Sequence, residues 1–393
     1  MRVGLHDAER DYLKHKRFPN YALMKISAYH KARGDSVEWW DPITSHTFDL
    51  IYSSKIFDFT PENPYLPPSA IRGGTGYPDI PINQTLPPEI DAAFPDYSIY
   101  PECDYAIGYI TRGCPNRCPW CVVPAKEGGI KPYRAWEQIV RPDTKKLVLM
   151  DNNILASEYG ILQLESLIGT GYEIDLNQGM DARLVTDRIA GILARLKWIR
   201  FIRFSCDQIP QIEAIERAAE LLEGYGKKPY NLFIYLLVTK DVENAAYRVE
   251  RLKRLKGISI YAQAERNDRK GIIPKALQKE FAQRFVYGRC YLKESWEEYL
   301  TRHKEKRLQN EKVSTREEAR QLAMKRLRQK NKSEYKASFT LTGDTRLVAG
   351  VTVEVSGYGA FDGKYIIETA THSVSKSGGY KTDITLRRVL EGY

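Results

Sequence analysis

Between residues 105 and 290 one pattern recurs six times: a short β-branched or aromatic run, then a longer stretch with apolar residues at helical spacing. The strand-like runs are Tyr105–Ile110, Lys146–Asp151, Glu173–Leu176, Ile199–Ser205, Asn231–Val238 and Ile258–Gln263. Helical patterns lie between them, as in Leu162–Ile168, Asp187–Leu196, Ile212–Leu222 and Val242–Leu255. Strands joined by crossover helices pair in parallel. Six units are too few to close an eight-stranded barrel, so the repeat predicts an open (β/α)6 partial barrel. Such α/β sheets place a site at the carboxyl ends of their strands.

Those ends are polar here. The second strand ends in Asp151-Asn152-Asn153 and the third runs into Asn177-Gln178-Gly179-Met180-Asp181-Ala182-Arg183. The fourth ends in Ser205-Cys206-Asp207-Gln208, the fifth in Thr239-Lys240-Asp241, and the sixth leads to Gln263 and Glu265. Helix capping accounts for Thr239 and Asp241, which precede a helix. It accounts poorly for Gln178, Asp181 and Arg183, which predict a polar mouth around a ligand.

The first strand leads into Thr-Arg-Gly-Cys-Pro-Asn-Arg-Cys-Pro-Trp-Cys, which holds Cys114, Cys118 and Cys121 within eight residues. Three closely spaced thiolates can hold three irons of a four-iron cluster and leave the fourth open to a small molecule. Structural zinc asks for four ligands, usually in pairs. The six histidines (His6, His15, His30, His46, His303 and His372) are scattered, and none pairs at ligand spacing. A disulfide scaffold does not suit 393 residues with six cysteines, so Cys103, Cys206 and Cys290 read as small buried hydrophobes or free thiols.

The flanking regions differ in kind. Residues 1–60 alternate strand (Arg2–His6), helix (Tyr21–Lys31) and two strands (Ser36–Trp40, Phe48–Ser53), which predicts a small Rossmann-like unit. Ten prolines in 61–104 deny that stretch long regular elements and predict an ordered wrap between domains. Its Gly73-Gly74-Thr75-Gly76 run reads as its most flexible point and as a tight turn, with a phosphate cradle as the alternative. Residues 105–295 carry the barrel repeat, and 296–335 read as a basic helical linker. Thr315–Asn331 is amphipathic, with Ala319, Leu322, Ala323 and Leu327 on one side. Residues 301–335 hold twelve Lys/Arg against five Glu, which suits a solvated basic helix and, as a rival reading, nucleic-acid binding. Residues 336–393 alternate β-branched runs with Gly-rich turns and predict a small all-β module.

No run approaches the ~20 apolar residues of a membrane helix, and Met-Arg-Val-Gly-Leu-His-Asp lacks the apolar centre of a signal peptide. A reducing cytoplasm is therefore the expected location. An oxygen-sensitive cluster would require such a reducing compartment.

The three-cysteine run resembles the signature of radical S-adenosylmethionine enzymes, and residues 105–290 resemble their catalytic domain. The resemblance implies a [4Fe–4S] cluster on Cys114, Cys118 and Cys121, whose open iron is chelated by the methionine amine and carboxylate of S-adenosylmethionine. Reductive cleavage of a carbon–sulfur bond then yields a 5′-deoxyadenosyl radical, and the electron comes from a flavodoxin- or ferredoxin-like donor. Trp120 stands where the family places an aromatic against the adenine. Asp151, Asn152 and Asn153 stand in place of the Gly-Gly-Glu run that binds the methionine amine, while Ser205 and Asp207 suit the ribose. Gln178, Asp181 and Arg183 fall on the substrate side, with Arg183 suited to an anionic group.

Three runs liken residues 1–104 to the front half of radical enzymes of phages and Gram-positive bacteria, a cobalamin-binding-like fold. They are Pro-Asn-Tyr-Ala-Leu-Met-Lys-Ile-Ser (19–27), Gly-Gly-Thr-Gly-Tyr (73–77) and Pro-Asp-Tyr-Ser-Ile-Tyr-Pro (95–101). The Asp-x-His-x-x-Gly signature for the cobalt's lower ligand is absent, and His6-Asp7 has the reverse order, so cobalamin is disfavoured. Residues from about 315 to 393 resemble the end of phage tail hub proteins of the late-control-protein-D type. The matching runs are Ser-Phe-Thr-Leu-Thr-Gly-Asp-Thr-Arg-Leu-Val-Ala-Gly (338–350), Phe-Asp-Gly-Lys-Tyr-Ile-Ile-Glu (361–368) and Leu-Arg-Arg-Val-Leu-Glu-Gly-Tyr (386–393). This implies phage tail partners and a place in the virion if the module assembles. Three functions stand as expectations: a radical enzyme on an unidentified substrate, a tail or baseplate assembly protein carrying a fused radical domain, and a nucleic-acid-modifying radical enzyme.

Overall fold

The computed structural model describes residues 1–13, 18–309, 315–318, 320, 321, 324, 336–375 and 378–389. The chain divides into two compact units, Met1–Thr301 and Arg302–Tyr393.

The first unit begins with a parallel sheet. Strand β1 (Arg2–Asp7) pairs with β2 (Ser36–Trp39) on one side and β3 (Leu50–Ser54) on the other. The helix Tyr21–Ala32 makes the crossover, with the Asn20 side chain accepting from Leu23 N as its cap. It lays Leu23 and Ile26 against Val3 and Leu5. A fourth strand, β4 (Ile71–Gly73), pairs with β3. It arises in the Pro-rich stretch, where three residues offer too little alternation to read from sequence. The glycine run that follows is a packed turn. A Cβ on Gly74, at φ +98°, would stand 2.2 Å from the Lys55 carbonyl oxygen.

The six expected strands of residues 105–290 all form, and all pair in parallel. They are β5 (Ala106–Gly108), β8 (Lys146–Leu149), β9 (Glu173–Leu176), β11 (Ile202–Ser205), β12 (Leu232–Val238) and β13 (Ser259–Ala264). Three short additions interrupt the series. Strands β6 (Thr111–Arg112) and β7 (Lys131–Pro132) pair antiparallel with each other, and β10 (Lys197–Trp198) pairs with β9. The result is two sheets, ordered β10-β9-β8-β5 and β11-β12-β13. A single parallel bridge, Met180 to Phe204, and the buried Asp175–Arg203 ion pair at 2.6 Å link them. Ile174, Leu176, Ile202, Phe204, Ile234 and Leu236 point to one side and form the main core with the crossover helices.

The N-terminal sheet docks onto this body through Met24, Tyr100 and Ile107, which bury one another. Lys25 reinforces the contact: its Nζ donates to Asp91 Oδ1 at 2.7 Å and to Tyr133 OH at 2.7 Å. Burial lowers this ammonium to about 8.

In the second unit, β14 (Lys336–Thr342), β15 (Thr352–Val355), β16 (Gly363–Ser375) and β17 (Gly379–Arg388) form an antiparallel sheet ordered β14-β17-β16-β15. Tyr365, Ile367, Ile384 and Leu386 are its core. The helix Trp296–Gln309 opens the expected linker. Most of the basic stretch, including the face of Ala319, Leu322, Ala323 and Leu327, lies outside the described residues, as do the last four residues of the hub-like run at 386–393. Among the described residues no helix is long and apolar enough to cross a membrane.

Candidate functional site

The three cysteines lie on a loop whose base is closed by the β6–β7 pair. Gly113 makes the turn into it at φ +84°, where a Cβ would stand 2.2 Å from the Gly129 carbonyl oxygen, so no other residue fits. The Cys114 N–H donates to Gly128 O at 3.1 Å. Glu127 gathers the base: its carboxylate accepts from Gly113 N at 2.8 Å, Arg112 at 2.6 Å and Asn152 Nδ2 at 2.9 Å. Arg112 also lies 4.1 Å over the Tyr109 ring. Asp151 locks the approach from the sheet. Its oxygens accept Ile110 N at 3.0 Å, Thr111 N at 2.5 Å and Thr111 Oγ1 at 2.7 Å. Burial raises this carboxyl to about 6 despite those donors. Asp151 is thus a pin between two strand ends, with both oxygens taken.

All six cysteines are free thiols; Cys103 and Cys206 are buried, and Cys114, Cys118 and Cys121 are half-buried. Two donors face the loop sulfurs: Val123 N is 3.4 Å from Cys121 Sγ, and Asn153 Nδ2 is 3.8 Å from Cys114 Sγ. Burial pushes the Cys118 and Cys121 thiols up, and proximity to the other loop thiols adds to it. Bound iron would reverse that balance, because ligand thiols give up their protons to the metal. Among the described residues no group of three or more His, Cys, Asp and Glu side chains is gathered so that it could hold a metal ion. Thiolates serving different irons of one cluster stand farther apart than the ligands of a single ion, so this finding speaks most directly to a mononuclear site. The donor set here is three thiols with amide donors beside two of them.

The neighbouring strand ends converge on this loop. Asn116 Nδ2, inside the cysteine run, donates to Asp181 Oδ2 at 3.0 Å. Arg183 grips the same carboxylate through Nε at 2.8 Å and Nη2 at 2.6 Å, which holds Asp181 below the usual carboxylate range despite its burial. Arg183 is half-exposed and already committed to Asp181. Asp207 is raised by burial, and its Oδ1 accepts Leu237 N at 3.0 Å. Both Asp207 and Arg183 act electrostatically on Cys118. Ser205 packs on Gly179, where a Cβ would stand 2.7 Å from its Oγ. Trp120 is half-buried beside Cys121, and Gln178 is exposed. Thr239 and Asp241 serve the next helix, Asp241 Oδ1 accepting Asn244 N at 3.0 Å.

Two amide oxygens at this edge have no partner. Asn153 Oδ1 and Asn177 Oδ1 are buried and make no hydrogen bond. A buried acceptor left unpaired costs about 1–3 kcal/mol, and these two stand at the ends of adjacent strands.

Glu127 and Arg248 were not foreseen from sequence. Arg248 is fully buried and donates to the Cys206 carbonyl at 2.5 Å, the Leu237 carbonyl at 2.8 Å and Asn244 Oδ1 at 2.9 Å, which sets the strand end that carries Asp207. A lone charge within a helical pattern carries no signal that separates such a pin from a solvated residue.

The carboxyl edge of the N-terminal sheet is differently filled. His6 Nδ1 lies 2.6 Å from Ser53 Oγ, and Ser53 Oγ lies 2.5 Å from Tyr77 OH. His6 Nε2 faces Asp11 Oδ2 at 3.2 Å, off the line of a hydrogen bond. His6 is buried, and the Asp11 carboxylate stands at its Nε2. No protein-family model matches the chain, and no curated protein matches it.

Proposed function

We propose that the chain is a radical enzyme that reductively cleaves S-adenosylmethionine at a [4Fe–4S] cluster held by Cys114, Cys118 and Cys121. The observation that carries this reading is the cysteine loop beside Asn153, whose Nδ2 lies 3.8 Å from Cys114 Sγ and whose Oδ1 is buried and unpaired, with a second such acceptor, Asn177 Oδ1, at the end of the adjacent parallel strand. In this reading the six strands act together as an open partial barrel, with the Met180–Phe204 bridge as its seam. When bound, the cluster and its cofactor supply the electron and the radical; the protein orients and shields them. Asn153 and Asn177 accept from the cofactor's ammonium and hydroxyl groups, Asp207 takes a ribose hydroxyl, and Trp120 covers the loop. Asp181, held by Asn116 and Arg183, fixes the loop against the third strand end.

The second unit is assigned to protein contacts, with phage tail proteins as the partner class that its resemblance implies. Its exposed apolar side chains, among them Val374 and Tyr358, support such a role.

Anaerobic reconstitution with iron and sulfide tests the central claim. The expected product is brown, with broad absorbance near ~400 nm, and cleaves S-adenosylmethionine on reduction. A colourless product, or colour unchanged in Cys118→Ala, would overturn it.

A further inference from the structure

Parallel sheets are ordinarily covered on both faces. Among the described residues the crossover helices cover one face of the β11-β12-β13 sheet, while on the other Arg203 is buried against Asp175 and the side chains of β12 are half-buried. Along β12, residues 232, 234, 236 and 238 are buried against the crossover helices, while Phe233, Tyr235 and Leu237 alternate with them and are half-buried. On β13, Ile260 and Ala262 are buried, and Tyr261 between them is exposed. The other face carries a row of rings. Phe201 lies 5.5 Å from Phe233, Phe233 lies 6.3 Å from Tyr261 in a near-parallel pair (24°), and Tyr261 lies 6.5 Å from Tyr287, which is 72 % exposed.

At the amino edge of the same strands is a cleft of about 510 Å³ lined by Arg195, Lys197, Arg200 and Lys227, with Glu173 as its one carboxylate. Arg200 joins the two features, since its guanidinium also lies 5.9 Å over the Phe201 ring. A cationic cleft beside a row of partly exposed rings is the combination that binds single-stranded nucleic acid. Phosphates are held by the charges, and bases stack on the rings without regard to sequence.

We infer that this face is a stacking platform for single-stranded nucleic acid, with Tyr261 as its central ring and Arg200 as a phosphate contact. Occupation of this surface does not depend on a cluster.

The test is fluorescence anisotropy of a labelled 12-nucleotide single strand of mixed sequence, as RNA and as DNA, with the full-length apoprotein. Binding is expected to weaken with salt. Tyr261→Ala is expected to weaken it roughly tenfold or more, whereas Tyr261→Phe keeps it. Arg200→Gln is expected to lower the slope of log affinity against log salt by about 0.7, the share of one phosphate. Tyr261 is exposed, so an unchanged thermal melt separates lost stacking from lost fold. The inference is overturned by absence of saturable binding at low salt. It is equally overturned by binding that both substitutions leave unchanged, which would place the strand on another surface such as 301–335. Because no iron is present, failure of the radical reading and failure of this one are read separately.

Discussion

The first unit contains two parallel carboxyl edges, and they differ in the polar atoms they leave unpaired. At the N-terminal sheet, the side chains that end β1 and β3 find partners: His6 Nδ1 with Ser53, Ser53 with Tyr77, Asp7 with Tyr100, and Ser54 with Asn20. At the cysteine-bearing sheet, Asp151 and Asp181 are answered, but Asn153 Oδ1 and Asn177 Oδ1 are buried without a partner. Position alone therefore does not make a site. Both edges stand where α/β sheets bind ligands, and each leaves buried polar atoms without a hydrogen bond: His6 Nε2, 3.2 Å from the Asp11 carboxylate, at the first, and two asparagine oxygens at the second. The first edge sets its unpaired ring nitrogen against a carboxylate, while the second leaves two amide acceptors unpaired beside the cysteine-bearing sheet.

The largest effect expected from this contrast is at the N-terminal edge. Ser53→Ala removes the group shared by His6 Nδ1 and Tyr77 OH and strands two buried polar atoms. At about 1–3 kcal/mol for each stranded group, the loss of stability should be roughly 4 kcal/mol. Iron uptake per folded molecule should be unchanged. Urea unfolding and iron analysis on one preparation check both. A loss of iron without a loss of stability would show that the N-terminal edge serves the cluster and would erase the distinction.

A smaller effect concerns Asp151, an answered carboxylate of the cysteine-bearing edge. Its pKa in the folded protein is about 6, above the ordinary 3.8, because burial penalises the charged form. The folded state thus binds a proton that the unfolded state has released between those values. The sign follows: the contribution to stability is full below about pH 4 and is lost as pH rises through about 6. The shift amounts to about 2–3 kcal/mol across that window. Asp151→Asn should flatten this part of the stability profile, since an amide does not titrate; its Oδ1 keeps the two Thr111 donors while its Nδ2 is set against Ile110 N, at a cost that does not vary with pH. Unfolding between pH 4.5 and 7.5 checks it, and equal slopes for the two proteins would assign the dependence to another group.

Much of this was legible in sequence, for a physical reason. Strand positions followed from alternation, because a parallel strand must carry its apolar residues on the covered face; Glu173–Leu176 is bounded as expected, and β12 differs by one residue. The placement of Asn153 and Asp207 beside the cysteine loop followed from the rule of carboxyl ends. What was hidden depends on partners distant in sequence. The division into two sheets rests on β10 occupying the edge of β9, and a two-residue strand has no period. Glu127 matters because Gly113, Arg112 and Asn152 meet on it, and Arg248 because two carbonyls lie within its reach. The aromatic face was equally invisible, since Phe233 and Tyr235 alternate as any half-buried strand does.

The smallest expected effect is the most discriminating. Asn177 is buried, and its Oδ1 has no hydrogen-bond partner. Removing an unsatisfied buried acceptor relieves a desolvation cost while giving up packing, so the two changes oppose each other. Asn177→Ala should therefore shift the stability of the apoprotein by only ~0.5 kcal/mol in either direction, far less than a buried polar truncation at the N-terminal edge. Affinity for S-adenosylmethionine in the reconstituted protein should nevertheless fall by roughly tenfold, the worth of one hydrogen bond to a charged or hydroxyl donor. Equilibrium dialysis against labelled cofactor, set beside a thermal melt, reads both quantities. If Asn177→Ala instead destabilises the apoprotein by several kcal/mol and leaves cofactor affinity intact, the amide belongs to the fold, and the two edges are alike after all.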